Sequence, residues 1–411
     1  VKKHCGCSLT SIALKKEKFL PETVAYLQKP FRLSSIQPIA RLMLPRGLSF
    51  RPDFVANLVA LSSSYALSHV VKKPVVWGYP ISIMIEPISR CNLQCPLCPI
   101  GARELTRDLG VMSLENFKKI LDNVGRYVKV IALWNQGEPT INDQLPEMIS
   151  EATQRGIYTM VSTNGTLLHR RNLIPRLLDA GLSELVFSID GLTPDSYKIY
   201  RIGGELEVVV ENMKEFRKER DARGSKSPKM IMQWLPMKHN QHEIPYLRAK
   251  AKEWGADTVE IKTAQVYSDE QAAQYLPDIE ELRRYERQGQ RWETKRRYQS
   301  CKRLWFSTMI DWNGNVVPCC FDKNEDILMG NVLKQDFRAV WHGEPYNKFR
   351  TQLIRQGRIE EMCRNCTEGL KSYYIPLDEL EAMAPPEIPP VPPENMPKKP
   401  DFSDLFELPV K

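Results

Sequence analysis

Between Pro80 and about Ala264 the chain repeats one rhythm, a short apolar run and then a longer helical one, and that rhythm limits what it can fold into. Strands are predicted at Ile81–Glu86, Val128–Trp134, Ile157–Ser162, Glu184–Ile189, Lys229–Leu235 and Thr258–Lys262. All are short and mostly apolar, as strands buried on both faces are. Gly156, Gly181 and Gly255 each stand just before a strand, where a helix end calls for a left-handed residue. Thr193-Pro194 supplies an N-cap followed by proline, which opens a helix. Repeated βα units make a parallel sheet, either doubly wound or curled into a barrel.

Directly after the first strand stands Cys91-x3-Cys95-x2-Cys98. Three thiolates from one loop are one too few for a closed structural site, so the spacing points to a metal position left open for an outside ligand. The ten cysteines of the chain fall in short-spaced groups, the habit of metal ligands in a reducing compartment, and a cytoplasmic location is expected.

Composition adds limits. A chain of 411 residues commonly holds two or three domains, and 42% hydrophobic with 26% charged residues excludes a fibrous or wholly disordered protein. Net charge is +8 and uneven; Arg283 to Arg303 has nine Lys or Arg against two Glu, read as a solvated helix face. Without aromatics interleaved on a basic sheet, no nucleic-acid partner is expected. Val55 to Val71 is the most apolar early stretch, but Asn57, three serines and His69 interrupt it. It falls short of the roughly 18 clean apolar residues of a span, so no transmembrane segment is expected, and a core helix is favoured over a helix lying on a membrane surface.

The predicted organisation is an N-terminal helical extension over 1–79, a barrel domain over 80–267, a charged helical linker over 268–300, a cysteine-rich domain over 301–374 and a proline-rich tail over 375–411. In the fourth, Thr308–Asp311 and Val316–Pro318 flank Asn313-Gly-Asn315 as a β-hairpin, and a helix runs from Phe337 to Gln356. So small a segment is expected to need a metal staple. Cys301, Cys319, Cys363 and Cys366 offer four thiolates, a complete set for an iron–sulfur cluster or for zinc.

The cysteine triplet behind a first strand resembles the radical S-adenosylmethionine (radical SAM) superfamily. That resemblance implies an α/β fold, a partial (β/α)6 TIM-type barrel, with a small C-terminal β-hairpin plus helix iron–sulfur domain and the N-terminal helical extension. It implies a [4Fe–4S] cluster on Cys91, Cys95 and Cys98 whose open iron takes S-adenosylmethionine, so that an electron from the cluster yields a 5′-deoxyadenosyl radical. Gly137-Glu138-Pro139 is similar to the family's GGEP element, with Gln136 in place of the first Gly; Ser162, Asn164, Ser188, Asp190 and Arg201 match its other cofactor contacts. The second cysteine group resembles the SPASM or shorter twitch extension, and five cysteines rather than seven imply one auxiliary [4Fe–4S] cluster. Sulfatase-maturing relatives carry an Asp where this chain has Cys320, which argues against formylglycine formation.

Candidate catalytic residues are His239, His242 and Cys320; Cys5 and Cys7 suggest adventitious metal binding only. The family implies an electron donor such as flavodoxin or ferredoxin. Peptide-modifying relatives usually carry an N-terminal docking module, and residues 1–79 show little β pattern, so a small-molecule, sugar or lipid-linked substrate is favoured over a peptide. A peptide-modifying enzyme is the alternative, and a non-catalytic iron–sulfur or zinc scaffold the alternative of another class.

Overall fold

A computed structural model describes residues 52–397, apart from 125, 296–299, 368–369, 371–372 and 378–387. Cys5 and Cys7 lie outside the described residues. Six parallel strands, β1 (Ser82–Ile85), β2 (Val130–Ala132), β3 (Tyr158–Thr163), β4 (Glu184–Ser188), β5 (Lys229–Trp234) and β6 (Thr258–Ile261), pair in chain order. Each falls within a residue or two of its predicted place. All five residues of β4 are buried, because the neighbouring strands and the covering layers leave neither face to water. Helices close the outside: Leu114–Val124 turns Phe117, Ile120, Leu121 and Val124 inward, one stripe of a 3.6-residue period. The helix at Pro194–Tyr200 opens with the predicted cap, Thr193 Oγ1 accepting from the Ser196 N–H at 3.2 Å.

The cysteine-rich region does not stand apart. Its hairpin, β9 (Ser307–Ile310) and β10 (Asn315–Val317), adds to the barrel sheet, with β9 parallel to β1 in the register Ser82↔Ser307 to Ile85↔Ile310. The predicted helix over 337–356 is broken into Phe337–Trp341 and Glu344–Gln356 by Gly343 and Pro345. Trp305, Trp341 and Tyr346 bury wholly in the main core. Arg350 lies among them, 4.4 Å and 4.5 Å from the Trp341 and Tyr346 ring centres, donating to the carbonyls of Leu304 and Trp341. This segment thus shares the barrel's core rather than forming one of its own.

The charged helical linker is also corrected. After one helix, Asp269–Tyr275, the chain forms a two-stranded hairpin, β7 (Tyr285–Gln288) with β8 (Arg291–Thr294). Arg283 and Arg287 sit over Trp292 at 5.7 Å and 5.8 Å, so the charges line a solvated ribbon, and alternation wins over helix propensity. The final strand, Tyr373–Pro376, pairs antiparallel with β6, so the boundary drawn at 374 cuts through a strand and the tail begins as an edge of the barrel.

At the other end, the apolar early stretch forms the helix Pro52–Val71, but not as a core helix. It buries Asn57, Leu61, Ser64 and Ser68 while Val55, Val59, Val70 and Val71 stay exposed. By length and composition alone it is long and apolar enough to cross a membrane.

Candidate active site

The loop that leaves β1 coils tightly, with the Cys98 N–H donating to the Cys95 carbonyl at 3.0 Å and Ala102 N–H to the Cys98 carbonyl at 2.7 Å. Gly101 makes this possible, since a Cβ there would lie 2.5 Å from the Cys95 backbone nitrogen and oxygen. The coil brings Cys91, Cys95 and Cys98 to the wall of one cavity of about 320 Å³ at the C-terminal ends of the strands. Donors already face two of the sulfurs: Leu93 N–H and Asn164 Nδ2 toward Cys91 at 3.4 Å and 3.9 Å, and Arg201 Nη1 toward Cys95 at 3.8 Å. Burial pushes the Cys91 thiol up to about 11 and the Cys95 thiol to about 12, with Arg201 drawing Cys95 partly back. Buried thiols of this kind give up their protons to a strongly bound cation, and donors aimed at sulfur suit an iron cluster.

Gly137, at φ +99°, lets the next strand's loop lie against this coil, because a Cβ would meet the Ile88 carbonyl at 2.5 Å. Glu138 N–H then donates to the Arg90 carbonyl at 2.8 Å. The Glu138 carboxylate is buried and anchored: Oε1 accepts from Thr140 Oγ1 at 2.5 Å and Thr163 Oγ1 at 2.6 Å, and Oε2 from Asn164 N–H at 2.7 Å. Burial pushes its pKa above the usual carboxylate range while these donors oppose the rise. Asp190, wholly buried, pairs with Arg201 across 2.5 Å and accepts from Leu235 N–H at 2.8 Å.

The structure therefore brings Gly137, Glu138, Ser162, Asn164, Ser188 and Arg201 to the walls of the cysteine cavity, with Ser162 and Ser188 hydroxyls 3.3 Å apart. Pro139 and Asp190 stand behind that wall, Pro139 opening the 3-10 turn Pro139–Ile141. Sequence reasoning missed Gln233, Gln265, Arg284 and Lys323, which also line it. Lys323 donates to the Tyr267 hydroxyl, and burial lowers its ammonium to about 8. Arg284 donates to the Thr263 carbonyl and the Asn365 carbonyl, both at 2.7 Å. A lone Lys or Arg on a polar segment gives no local signal; only the sheet's closure brings these two in.

Trp134, Asn135, Gln265 and Arg284 also line a second cavity of about 540 Å³, walled by inward residues of the strands and by Cys320. Of the three candidate catalytic residues, Cys320 lines the second of these cavities, and His239 and His242 line neither. His239 is fully buried with neither ring nitrogen hydrogen-bonded among the described residues, and burial lowers its imidazole to about 3. His242 is half-buried 3.1 Å from the Pro389 carbonyl. The expectation that they face the barrel mouth is corrected, because Asn240 bonds the Asp190 and Leu235 carbonyls at 2.8 Å and 3.0 Å and folds this loop down beside the β4 end.

Cys301, Cys319, Cys363 and Cys366 line a separate hollow with Phe321, Phe349, Leu353 and Met362. Arg358 Nη1 donates toward Cys366 Sγ at 3.5 Å. Among the described residues no three Cys, His, Asp or Glu side chains converge as ligands of a single ion. Four cysteine thiols around one hollow are a complete donor set for a four-iron cluster.

Comparison with known proteins agrees with this geometry. The radical SAM superfamily model matches residues 85–224, and the SPASM iron–sulfur cluster-binding domain model matches residues 301–367. The chain belongs to the radical SAM superfamily and carries a SPASM domain; it is an enzyme of that class, and these domains bind [4Fe–4S] clusters and S-adenosylmethionine. It is 26% identical over 314 residues to the tungsten-containing aldehyde ferredoxin oxidoreductase cofactor-modifying protein of Pyrococcus furiosus, covering 69% of this chain and 86% of that one. It is 25% identical over 323 residues to the PqqA peptide cyclase of Xanthomonas campestris, covering 70% and 79%. The fold is also that of Streptococcus suis SuiB, solved with its precursor peptide SuiA, at TM-score 0.53 and 15% identity over 89% and 86% of the two chains. The preference for a small-molecule, sugar or lipid-linked substrate over a peptide is overturned by the similarity to PqqA peptide cyclase. It rested on residues 1–79, most of which lie outside the described structure.

Proposed function

We propose that this enzyme modifies a peptide. The similarity to PqqA peptide cyclases over 79% of their length carries the reading, and a cavity of about 540 Å³ that shares Trp134, Asn135, Gln265 and Arg284 with the cysteine cavity gives a side chain room to enter. The bound groups would supply reductive cleavage of S-adenosylmethionine to a 5′-deoxyadenosyl radical and a sink for the electron left on substrate. Cys91, Cys95 and Cys98 hold the first cluster. Cys301, Cys319, Cys363 and Cys366 hold one auxiliary cluster. Glu138 offers a buried carboxylate to the methionine ammonium, and Ser162, Asn164 and Ser188 offer hydroxyl and amide groups to the rest of the cofactor. Arg201, fixed by Asp190, sets charge beside Cys95. Cys320 is the thiol nearest to an entering side chain. Domain limits follow the earlier division, with the C-terminal boundary moved beyond the strand Tyr373–Pro376. The enzyme works in the cytoplasm with a flavodoxin- or ferredoxin-like donor.

The test is anaerobic reconstitution followed by measurement of iron, sulfide and 5′-deoxyadenosine. Wild type is expected to hold about eight irons, falling to about four in Cys91→Ala/Cys95→Ala/Cys98→Ala with cleavage lost. Incubation with peptides encoded beside its gene is then expected to raise 5′-deoxyadenosine release and to change the mass of one of them. Cleavage that no peptide stimulates, with every peptide mass unchanged, would refute the substrate class while leaving the enzyme class standing.

A further inference from the structure

The helix Pro52–Val71 turns a mixed stripe to the protein, with Leu61 and Tyr65 packed on the core beside Asn57 and Ser68. Asn57 exchanges two 2.8 Å hydrogen bonds with the Tyr79 backbone, and Ser68 bonds the Val75 N–H and carbonyl at 2.8 Å and 2.9 Å. The outward face is uncharged and largely apolar, Val59 being 59% and Val70 77% exposed, with Ser62 and Ser63 between them. From Phe54 to Val71 there is no Asp, Glu, Lys or Arg, although a helix lying on a soluble protein normally turns charges to water. Five of the eleven exposed large apolar side chains among the described residues lie between Val55 and Trp77. They form one patch in sequence rather than the usual scatter.

The charges around this face are mostly basic, Asp53 in the first turn being the exception. Exposed Lys72 and Lys73 follow the helix directly, and Lys129 lies 5.9 Å from the Phe54 ring near its start. The 51 residues joined to its N-terminal end contain ten Lys or Arg against two Glu, which accounts for the entire net +8 of the chain. A second protein or a second copy of this chain has no need of those basic residues; a sheet of lipid phosphates does, at roughly fivefold in affinity per basic residue. Trp77, 57% exposed beyond the helix, is of the type that settles at the headgroup level. Because the polar side is hydrogen-bonded to the protein, the helix lies along a surface rather than across a bilayer.

We propose that the outward face of Pro52–Val71 docks the enzyme onto an anionic phospholipid leaflet. The reconstituted full-length protein is sedimented without air with vesicles of phosphatidylcholine alone and of equal parts phosphatidylcholine and phosphatidylglycerol. Wild type is expected on the mixed vesicles, less so at high salt, and roughly tenfold more weakly after Val59→Asp/Val70→Asp or Lys72→Glu/Lys73→Glu. None of these residues lines either cavity, so release of 5′-deoxyadenosine is expected to stay at the wild-type rate, which shows that the variants fold. The proposal is overturned if wild type stays in solution. Binding that ignores the valine substitutions also overturns it, since residues 1–51 alone would then attach the protein. So does a dimer by light scattering that Val59→Asp/Val70→Asp dissolves while no variant binds vesicles.

Discussion

Arg201 shows how a single side chain is held for work. Its Nη2 lies 2.5 Å from buried Asp190, its Nη1 faces Cys95 Sγ at 3.8 Å, and the Tyr200 ring lies beneath it at 5.4 Å. Asp190 therefore acts through Arg201, and the two titrate as a pair in which burial opposes charging and each partner restores it. Asp190→Asn leaves the guanidinium buried without its counter-charge, at an expected loss of about 3–5 kcal/mol in unfolding free energy. A KM for S-adenosylmethionine raised about tenfold is expected with it, as the fork swings off the sulfur. Arg201→Lys keeps the charge but not the fork, and a similar rise in KM with a smaller stability loss is expected. A lowered melting temperature with unchanged KM would make Asp190 structural only.

At the scale of elements, the loops after the strands carry more of the fold than their sequence suggests. Glu243, in the 3-10 turn Gln241–Tyr246 after β5, accepts from Leu192 N–H at 3.0 Å and Ser196 Oγ at 2.6 Å, tying that turn to the β4 loop. Burial raises its carboxyl from 4.5 to about 7. Between those values the folded protein keeps a proton that the unfolded chain has lost, so this contribution is complete below about 4.5 and fades as pH rises through about 7. The melting temperature is expected to fall over that interval in wild type and to fall less in Glu243→Gln, measured by calorimetry in buffers of matched ionic strength. What the sequence made legible divides along the same line. The strands, the triplet and Gly137-Glu138 are local signals, fixed by period or by ligands that must stand close in the chain. The inward turn of His239, the pairing of β7 with β8, and the arrival of Lys323 and Arg284 at the cavity depend on tertiary closure, and a periodicity of two or of 3.6 says nothing about which way a loop side chain turns.

For the whole molecule, one buried cluster joins the barrel to the cysteine-rich region. Arg107 reaches Glu86 at 2.7 Å, Glu325 at 3.6 Å and Asp311 at 3.9 Å, and donates to the Lys323 carbonyl at 2.7 Å. With three carboxylates around one guanidinium, burial and the charge of Glu86 hold the Asp311 carboxyl well above the usual carboxylate range. The sheet does the rest, since β9 covers the free edge of β1 and Tyr373–Pro376 covers that of β6. A fragment of residues 80–267 would expose both edges, and it is expected to aggregate or to elute as large oligomers where the full chain does not, as read by size-exclusion chromatography. The same register has a consequence over evolutionary time. A strand paired from Ser82↔Ser307 to Ile85↔Ile310 cannot be traded between genes as a free cassette, so the two cysteine groups must descend together, each substitution along β1 answerable to its neighbour in β9.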